Sequence, residues 1–233
     1  MFNLCLAGHT FAVYNQCDYV KNLCRDYRVS TPGDVVIAAS DEEIFAEGSR
    51  RNGKGYLESL AVYRKICELL VGDGIILFHS SALAMGGKAI LFAAPSGTGK
   101  STHARLWRER FGPRVLMVND DKPLLKVDAR TVTVYGTPYG GKDNIQTNTS
   151  APVAAIVMLH QAGENSIRCV TPAEAYPLLL NQTYRPRSAA GLAQTLPLVN
   201  RLTELPLFSL GCTISQDAVS LVYDTLKGEG ILS

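Results

Sequence analysis

Neither sign of charge predominates in this chain of 233 residues: 23 lysines and arginines stand against 21 aspartates and glutamates, a formal net charge of +2. Such a balance leaves no electrostatic footprint for a dedicated nucleic-acid or membrane-surface binder. The six cysteines (Cys5, Cys17, Cys24, Cys67, Cys169 and Cys212) contain no C-x-x-C pair. A secreted disulfide scaffold is usually shorter and denser in cysteine, so reduced thiols are expected, mostly buried as small hydrophobes. Cys5 and His9 have no second cluster to complete a four-ligand metal site. The longest apolar run, Ala151 to Leu159, falls far short of a membrane span. The first basic residue is Lys21, which leaves no charged segment of the kind that opens a signal peptide. The expectation is a cytoplasmic protein that contacts no membrane and no nucleic acid. Internal repeats, low-complexity tracts and long linkers are missing as well.

What is present is a core-forming composition. Hydrophobic residues make up 46% of the chain and charged residues 19%, which excludes a disordered chain. The length suits one large α/β domain or a core with a small appendage. Residues 1–70 read as an N-terminal α+β portion. Strand-like FNLCLAGHTFAVYN is followed by helical spacing over 18–27, the short strand DVVIAAS, and an amphipathic helix over 56–70. Residues 71–233 read as the core. GIILFHSSALAMGGKAILFAA predicts two strands joined by Met85-Gly86-Gly87-Lys88, since a Gly-Gly pair permits the positive φ of a tight hairpin. LLKV and TVTVYG predict a second hairpin, and PVAAIVMLH a strand buried on both faces. Thr171-Pro172-Ala173-Glu174 carries a helix start with cap, proline and capping-box glutamate. Helices over 173–183, 188–203 and 215–227, with the strand LPLFSL between the last two, complete the core.

The strongest motif is AILFAAPSGTGKSTHARLW. Residues 94–101 fit [AG]-x-x-x-x-G-K-[ST], a phosphate-binding loop, with Ala94 where the first glycine usually stands. An apolar strand runs in and an amphipathic helix runs out, the context the motif requires. Gly97 and Gly99 let backbone N–H groups turn inward as an anion nest, and the helix starting near Lys100 adds its positive end. Lys100 can reach the β- and γ-phosphates, and Ser101 offers a hydroxyl to Mg²⁺.

About twenty residues later RVLMVNDDKPLL ends a strand in two carboxylates, Asp120 and Asp121. A parallel neighbour strand would deliver such groups beside the phosphates. Adjoining residues at a strand end point in different directions, so the pair can divide the work of base and metal contact.

His79 opening a hairpin, the loop APSGTGKST and the segment VNDD together resemble the catalytic core of HPr serine kinase/phosphorylase. That P-loop fold is shared with the nucleotide half of phosphoenolpyruvate carboxykinases. The resemblance is clear over residues 75–160 and looser to 227, taking in GTPYGGKDN and a late YRPR. It is most specific to stand-alone HPr kinase-like proteins associated with peptide modification. It implies an α/β fold with a mixed β-sheet. It implies ATP and Mg²⁺ as cofactors, the nucleotide phosphates being held by Ser96, Gly97, Thr98, Gly99, Lys100, Ser101 and Thr102. Asp120 would act as base, Ser101 and Asp121 as metal ligands, and His79 as an active-site histidine. Lys142 would bridge phosphate charge from the glycine-rich loop, with Arg185 and Arg187 as candidates for a charge clamp. Three departures stand out. TVTVYG lacks the family's metal-binding glutamate, the loop supporting the reverse reaction has no counterpart, and the large assembly domain is absent. A full carboxykinase is excluded by size. The expected function is transfer of the γ-phosphoryl group of ATP to a hydroxyl, that of a serine in a peptide or protein. A small-molecule hydroxyl kinase and a nucleotide-binding accessory protein without transfer are the alternatives. His103 and His160 are expected to be structural.

Overall fold

The computed structural model describes residues 1–232. The chain divides into two compact units, meeting in sequence between Ile75 and Ile76. In the first, β1 (Phe2–Leu6) and β2 (His9–Tyr14) form a hairpin. Its turn, Ala7-Gly8, takes positive φ at both residues, the geometry that matches strand twist. α1 (Asp18–Leu23), β3 (Arg28–Val29), β4 (Val35–Ala38), α2 (Asp41–Ala46) and α3 (Lys54–Leu70) follow. The sheet order is β3-β1-β2-β4. Alternating residues of β1 and β2 (Leu4, Leu6, Phe11, Val13) and the apolar stripe of α3 (Leu57, Ala61, Ile66, Leu70) are buried. Glu58 on α3 is fully buried and accepts the backbone N–H groups of Gln16 and Cys17 at 2.5 and 2.8 Å. A buried carboxylate thus meets the backbone donors of the N-cap residue of α1 and of the residue before it. α2, a six-residue helix with a Ser40–Glu43 capping box, and the two-residue β3 carry too little periodicity to be legible in the sequence.

The second unit is built on a mixed sheet. Its strands are β5 (Ile75–Leu77), β6 (Ser80–Met85), β7 (Lys88–Ala93), β8 (Val115–Asn119), β9 (Leu124–Val127), β10 (Val132–Tyr135), β11 (Ser150–Gln161), β12 (Ser166–Cys169) and β13 (Leu207–Cys212). The order runs β5-β9-β10-β11-β7-β6-β8, with β13 also on β11 and β12 on β13. β7, β11 and β13 are parallel, and β6 runs against both β7 and β8. The β6–β7 turn uses Gly86 and Gly87 at φ +58° and +77°, as the Gly-Gly pair predicts. α4 (Lys100–Phe111), α5 (Pro172–Gln182), α6 (Ala189–Leu202) and α7 (Gln216–Gly228) are the helices. α4 and α7 close a core with Phe92, Trp107, Phe111, Val157 and Phe208, and α5 packs on β7 and α6. α5 starts on the Thr171–Glu174 capping box with Pro172 at its first position.

Two readings need correction. The strand carrying the acidic pair, β8, is not the direct neighbour of β7: β6 lies between them. Two antiparallel steps restore the direction of β7, so the carboxylates still emerge at the end of the sheet where the glycine loop lies. The cysteines are not mostly buried either. Cys24 and Cys67 are, Cys169 is exposed, and the other three are half-buried. β12, largely exposed, was not expected, since the alternation of Ile167 and Cys169 over four residues is too short to rise above composition.

Candidate functional site

β7 delivers the chain into the glycine loop and α4 carries it out. Gly97 and Gly99 sit at φ +82° and +118°, and a Cβ on either would meet nothing within 4 Å. Backbone angle, not crowding, therefore demands glycine here. Thr98 folds the loop tightly, its Oγ1 donating to Pro95 O at 2.9 Å. Lys100, at the first position of α4, is only 7% exposed. Its Nζ donates to Ala94 O at 2.8 Å and Pro95 O at 3.3 Å. Among the described residues no carboxylate lies within ion-pair distance of it. Burial holds the lysine pKa below its ordinary value, against the attraction of Asp121 and Asp120.

The two aspartates at the end of β8 differ in setting. Asp120 is 6% exposed and accepts from Ser81 Oγ, on β6, at 2.5 Å. Burial raises its pKa, with the charges of Asp143 and Asp121 adding to the rise; the Ser81 and Ser101 hydroxyls oppose it. Asp121 is half-buried. His79 Nδ1 lies 3.2 Å from its Oδ1, and Lys122 Nζ meets its Oδ2. Burial acts to raise its pKa, but the His79 hydrogen bond and the charge of Lys122 outweigh that, and the net shift is downward. Adjacent carboxylates are thereby driven in opposite directions, the pattern by which a fold separates proton transfer from permanent charge.

Three side chains assigned no individual role in the sequence analysis hold this arrangement. Asn119, fully buried, donates to Thr137 O and Oγ1 at 3.0 and 3.1 Å. Its Oδ1 accepts from Asp121 N and Lys122 N at 2.9 and 2.8 Å. Thr137 Oγ1 in turn donates to Lys122 O. The GTPYGGKDN loop is thus tied to the acidic turn, and Gly141 (φ +76°) lies so close that a Cβ would sit 3.3 Å from Asp121 Cβ. Lys142, exposed, follows directly. The third is Gln182, at the end of α5. With its amide oriented to satisfy both ends, Nε2 donates to Ala94 O at 2.9 Å and His79 O at 3.2 Å. His79 N donates to Gln182 O at 2.7 Å, and Tyr184 N to Leu77 O. The TYRPR segment therefore runs beside the strand end that presents His79, with Arg185 and Arg187 exposed. The Asn119–Thr137 and Gln182 partnerships span many residues of sequence and have no local signature; Asn119 and Thr137 stood inside the VNDD and GTPYGGKDN segments, Gln182 in neither.

His103 is buried, accepts from Trp107 Nε1 at 3.0 Å, and is pushed down to about 4 by burial. It is a neutral core residue. His160 sits exposed near the end of β11, away from the acidic turn in the strand order. The donor set at the loop is oxygen throughout: one hydroxyl (Ser101) and two carboxylates. That suits Mg²⁺, which keeps several waters and takes one or two carboxylates with substrate phosphates. Among the described residues no group of three or more His, Cys, Asp or Glu forms a self-sufficient metal cage.

No family model matches the chain, and no curated protein matches it. Among solved structures it is similar to the Hpr(Ser) kinase/phosphatase from Coxiella burnetii, with 13% identity over 66% of this chain and 98% of that one, at a TM-score of 0.41. A likeness that slight carries no argument about activity, which must come from the residues themselves.

Proposed function

We propose that the chain is an ATP-dependent kinase that transfers the γ-phosphoryl group to the hydroxyl of a serine in a peptide or protein. The observation that supports this best is the adjacency of two carboxylates in opposite settings beside a buried lysine of a glycine loop. Lys100, whose direct partners are neutral carbonyls, is a cation available to polyphosphate. The backbone of residues 96–102 and the start of α4 supply N–H groups to the same anion. Mg²⁺, when bound, would neutralise phosphate charge, with Ser101 and Asp121 as its protein ligands. Asp121, held ionised, suits a hard cation. Asp120, buried and raised in pKa, suits the base that accepts the hydroxyl proton. His79 orients Asp121. Lys142, exposed and next to the Gly141 that lies against Asp121, and Arg185 and Arg187, exposed just beyond Tyr184, would supply positive charge toward the acceptor and the γ-phosphate.

One observation favours exchanging the two aspartates: the Ser101 hydroxyl acts on Asp120 rather than Asp121. Titrating Mg²⁺ and ATP against the two asparagine variants decides. The proposed order expects Asp120→Asn to keep Mg·ATP binding and lose about 10²–10⁴ in transfer. Asp121→Asn should raise the Mg²⁺ requirement. The mirror-image result establishes the exchanged order. ATP consumption with γ-phosphate transfer to serine peptides, followed by mass spectrometry, tests the reaction. Nucleotide binding without transfer to any hydroxyl would make the protein an accessory.

A further inference from the structure

Beside the glycine loop, on the side away from the acidic pair, lies a cleft of about 410 Å³. Its walls are Thr98 and Thr102 of the loop, Leu106 on the next turn of α4, Gln161 at the end of β11, and Thr213 and Ile214 just beyond β13. The volume is in the range of small-molecule sites. The cleft also lies where α/β sheets bind ligands, at the carboxyl ends of parallel strands.

Strand order fixes its relation to the proposed chemistry. In the sequence β13-β11-β7-β6-β8, β7 carries the loop, β8 carries Asp120 and Asp121, and β11 and β13 carry the cleft. A phosphate chain lying on the loop has carboxylates at one end and this cleft at the other. Resting on the phosphate-site reading above, we infer that the cleft receives the nucleoside half of the nucleotide, and that it is built for adenine.

Two features support this. Ile214 is 81% exposed, yet its backbone is not free to fold it away. Asn165 Oδ1 accepts from Thr213 N at 2.8 Å and from its Oγ1 at 3.1 Å, and Asn165 Nδ2 donates to Ser215 Oγ at 3.1 Å. An apolar side chain is thus held in water at a cleft that Leu106 also lines, where a flat ring would cover it. The second feature is Gln161. One N–H of its carboxamide reaches Thr98 O at 3.4 Å, leaving the carbonyl oxygen and the other N–H to offer a base. That acceptor–donor pair matches the N6 and N7 edge of adenine, whereas guanine's N7 and O6 call for arginine or lysine. No basic residue lines the cleft except His103, which burial keeps neutral.

The test is equilibrium binding of ATP, GTP and inorganic triphosphate, each with Mg²⁺, to the whole protein and to Ile214→Ser and Gln161→Ala. Both substitutions are at exposed positions. ATP should bind at least about tenfold more tightly than triphosphate, one step of 1.4 kcal/mol, and about fivefold or more above GTP. Ile214→Ser should lower ATP affinity and leave triphosphate unchanged; Gln161→Ala should narrow the gap between ATP and GTP. Equal binding of ATP and triphosphate, or variants that leave ATP affinity untouched, would overturn the inference while the phosphate site stands. Failure of ATP and triphosphate alike to bind would remove the phosphate site, and the cleft's role with it.

Discussion

Asp120 and Lys100 each hold a charge that their surroundings disfavour. Asp120 is ionised at neutral pH only against burial, and Lys100 is protonated only against burial. A folded-state carboxyl pKa above the unfolded value contributes stability below the ordinary carboxylate range, and that contribution is lost as pH rises through the folded pKa. Asp120→Asn should therefore melt above the parent at pH 7, with the difference closing as pH falls below the ordinary range. For Lys100 the sign is opposite: a depressed lysine pKa means that stability rises with pH as the group discharges. Lys100→Met should melt higher at neutral pH, and the gain should shrink at alkaline pH. The carbonyls it abandons keep other donors, Gln182 on Ala94 O and Thr98 on Pro95 O. Each kcal/mol reads as about 2–4 °C in a chain of this size. Lys100→Met should at the same time lose transfer by about 10²–10³, the usual effect of removing one preorganised charge donor. Variants that gain stability while losing activity mark residues kept for work rather than for folding; thermal melts across pH beside phosphoryl-transfer assays read both. A site that is merely a turn would show neither.

At the scale of elements, β6 decides where the chemistry meets. It stands between the strand that carries the glycine loop and the strand that carries the carboxylates, and its residue Ser81 bonds Asp120. The acidic turn itself is shaped by Asn119, the last residue of β8, with two bonds to the Thr137 side and two to the backbone beyond. Asn119→Ala removes four hydrogen bonds, two buried and two partly buried, which net of water are worth on the order of 2 kcal/mol, or a melting point lower by about 4–8 °C. It should also reduce transfer more than ATP affinity, because the loop and lysine sit on β7 and α4 while the misplaced groups are Asp120 and Asp121. Calorimetry with a KM-against-kcat comparison checks both parts. The contrast explains what was legible. The glycine loop and the acidic pair were legible as candidates because their chemistry depends on residue type at short spacing, whereas His79 came only from the family resemblance. The hairpin at Gly86-Gly87 and the buried strand β11 were visible because one turn type and one hydrophobic run specify them. Gln182, Ser81 and the position of β6 were not. They depend on which strand pairs with which, and no local pattern encodes a choice made across the sheet. β12 and α2 were too short for periodicity to rise above composition.

At the scale of the whole molecule, every residue of the candidate site belongs to the second unit: His79, Ser81, the loop at 94–101, Asn119 to Asp121, the 136–144 loop, Gln182 and the cleft at Gln161 and Ile214. That unit has its own nine-stranded sheet and its own core around Phe92, Trp107 and Phe111. Its length is near the commonest for an independently folding domain. The first unit has a separate four-stranded sheet, and its buried carboxylate, Glu58, is satisfied within the unit by Gln16 and Cys17. We predict that a chain running from Val71 to the end, which retains all of β5, folds with one cooperative transition. It should bind Mg·ATP as tightly as the full chain, since no phosphate, base or metal contact has been removed. Circular dichroism and calorimetry report the folding, and titration with ATP reports the site. A fragment that melts without cooperativity would mean that the second unit needs the first 70 residues to fold, and one that folds but binds ATP markedly more weakly would mean that those residues complete the proposed nucleotide site. A fragment that binds ATP fully but phosphorylates peptides more slowly than the full chain would instead assign the first unit to the acceptor. Every residue of the proposed phosphate site lies in the second unit, and a protein acceptor, if that is the substrate, would need more surface to hold it than the residues next to Asp121 offer.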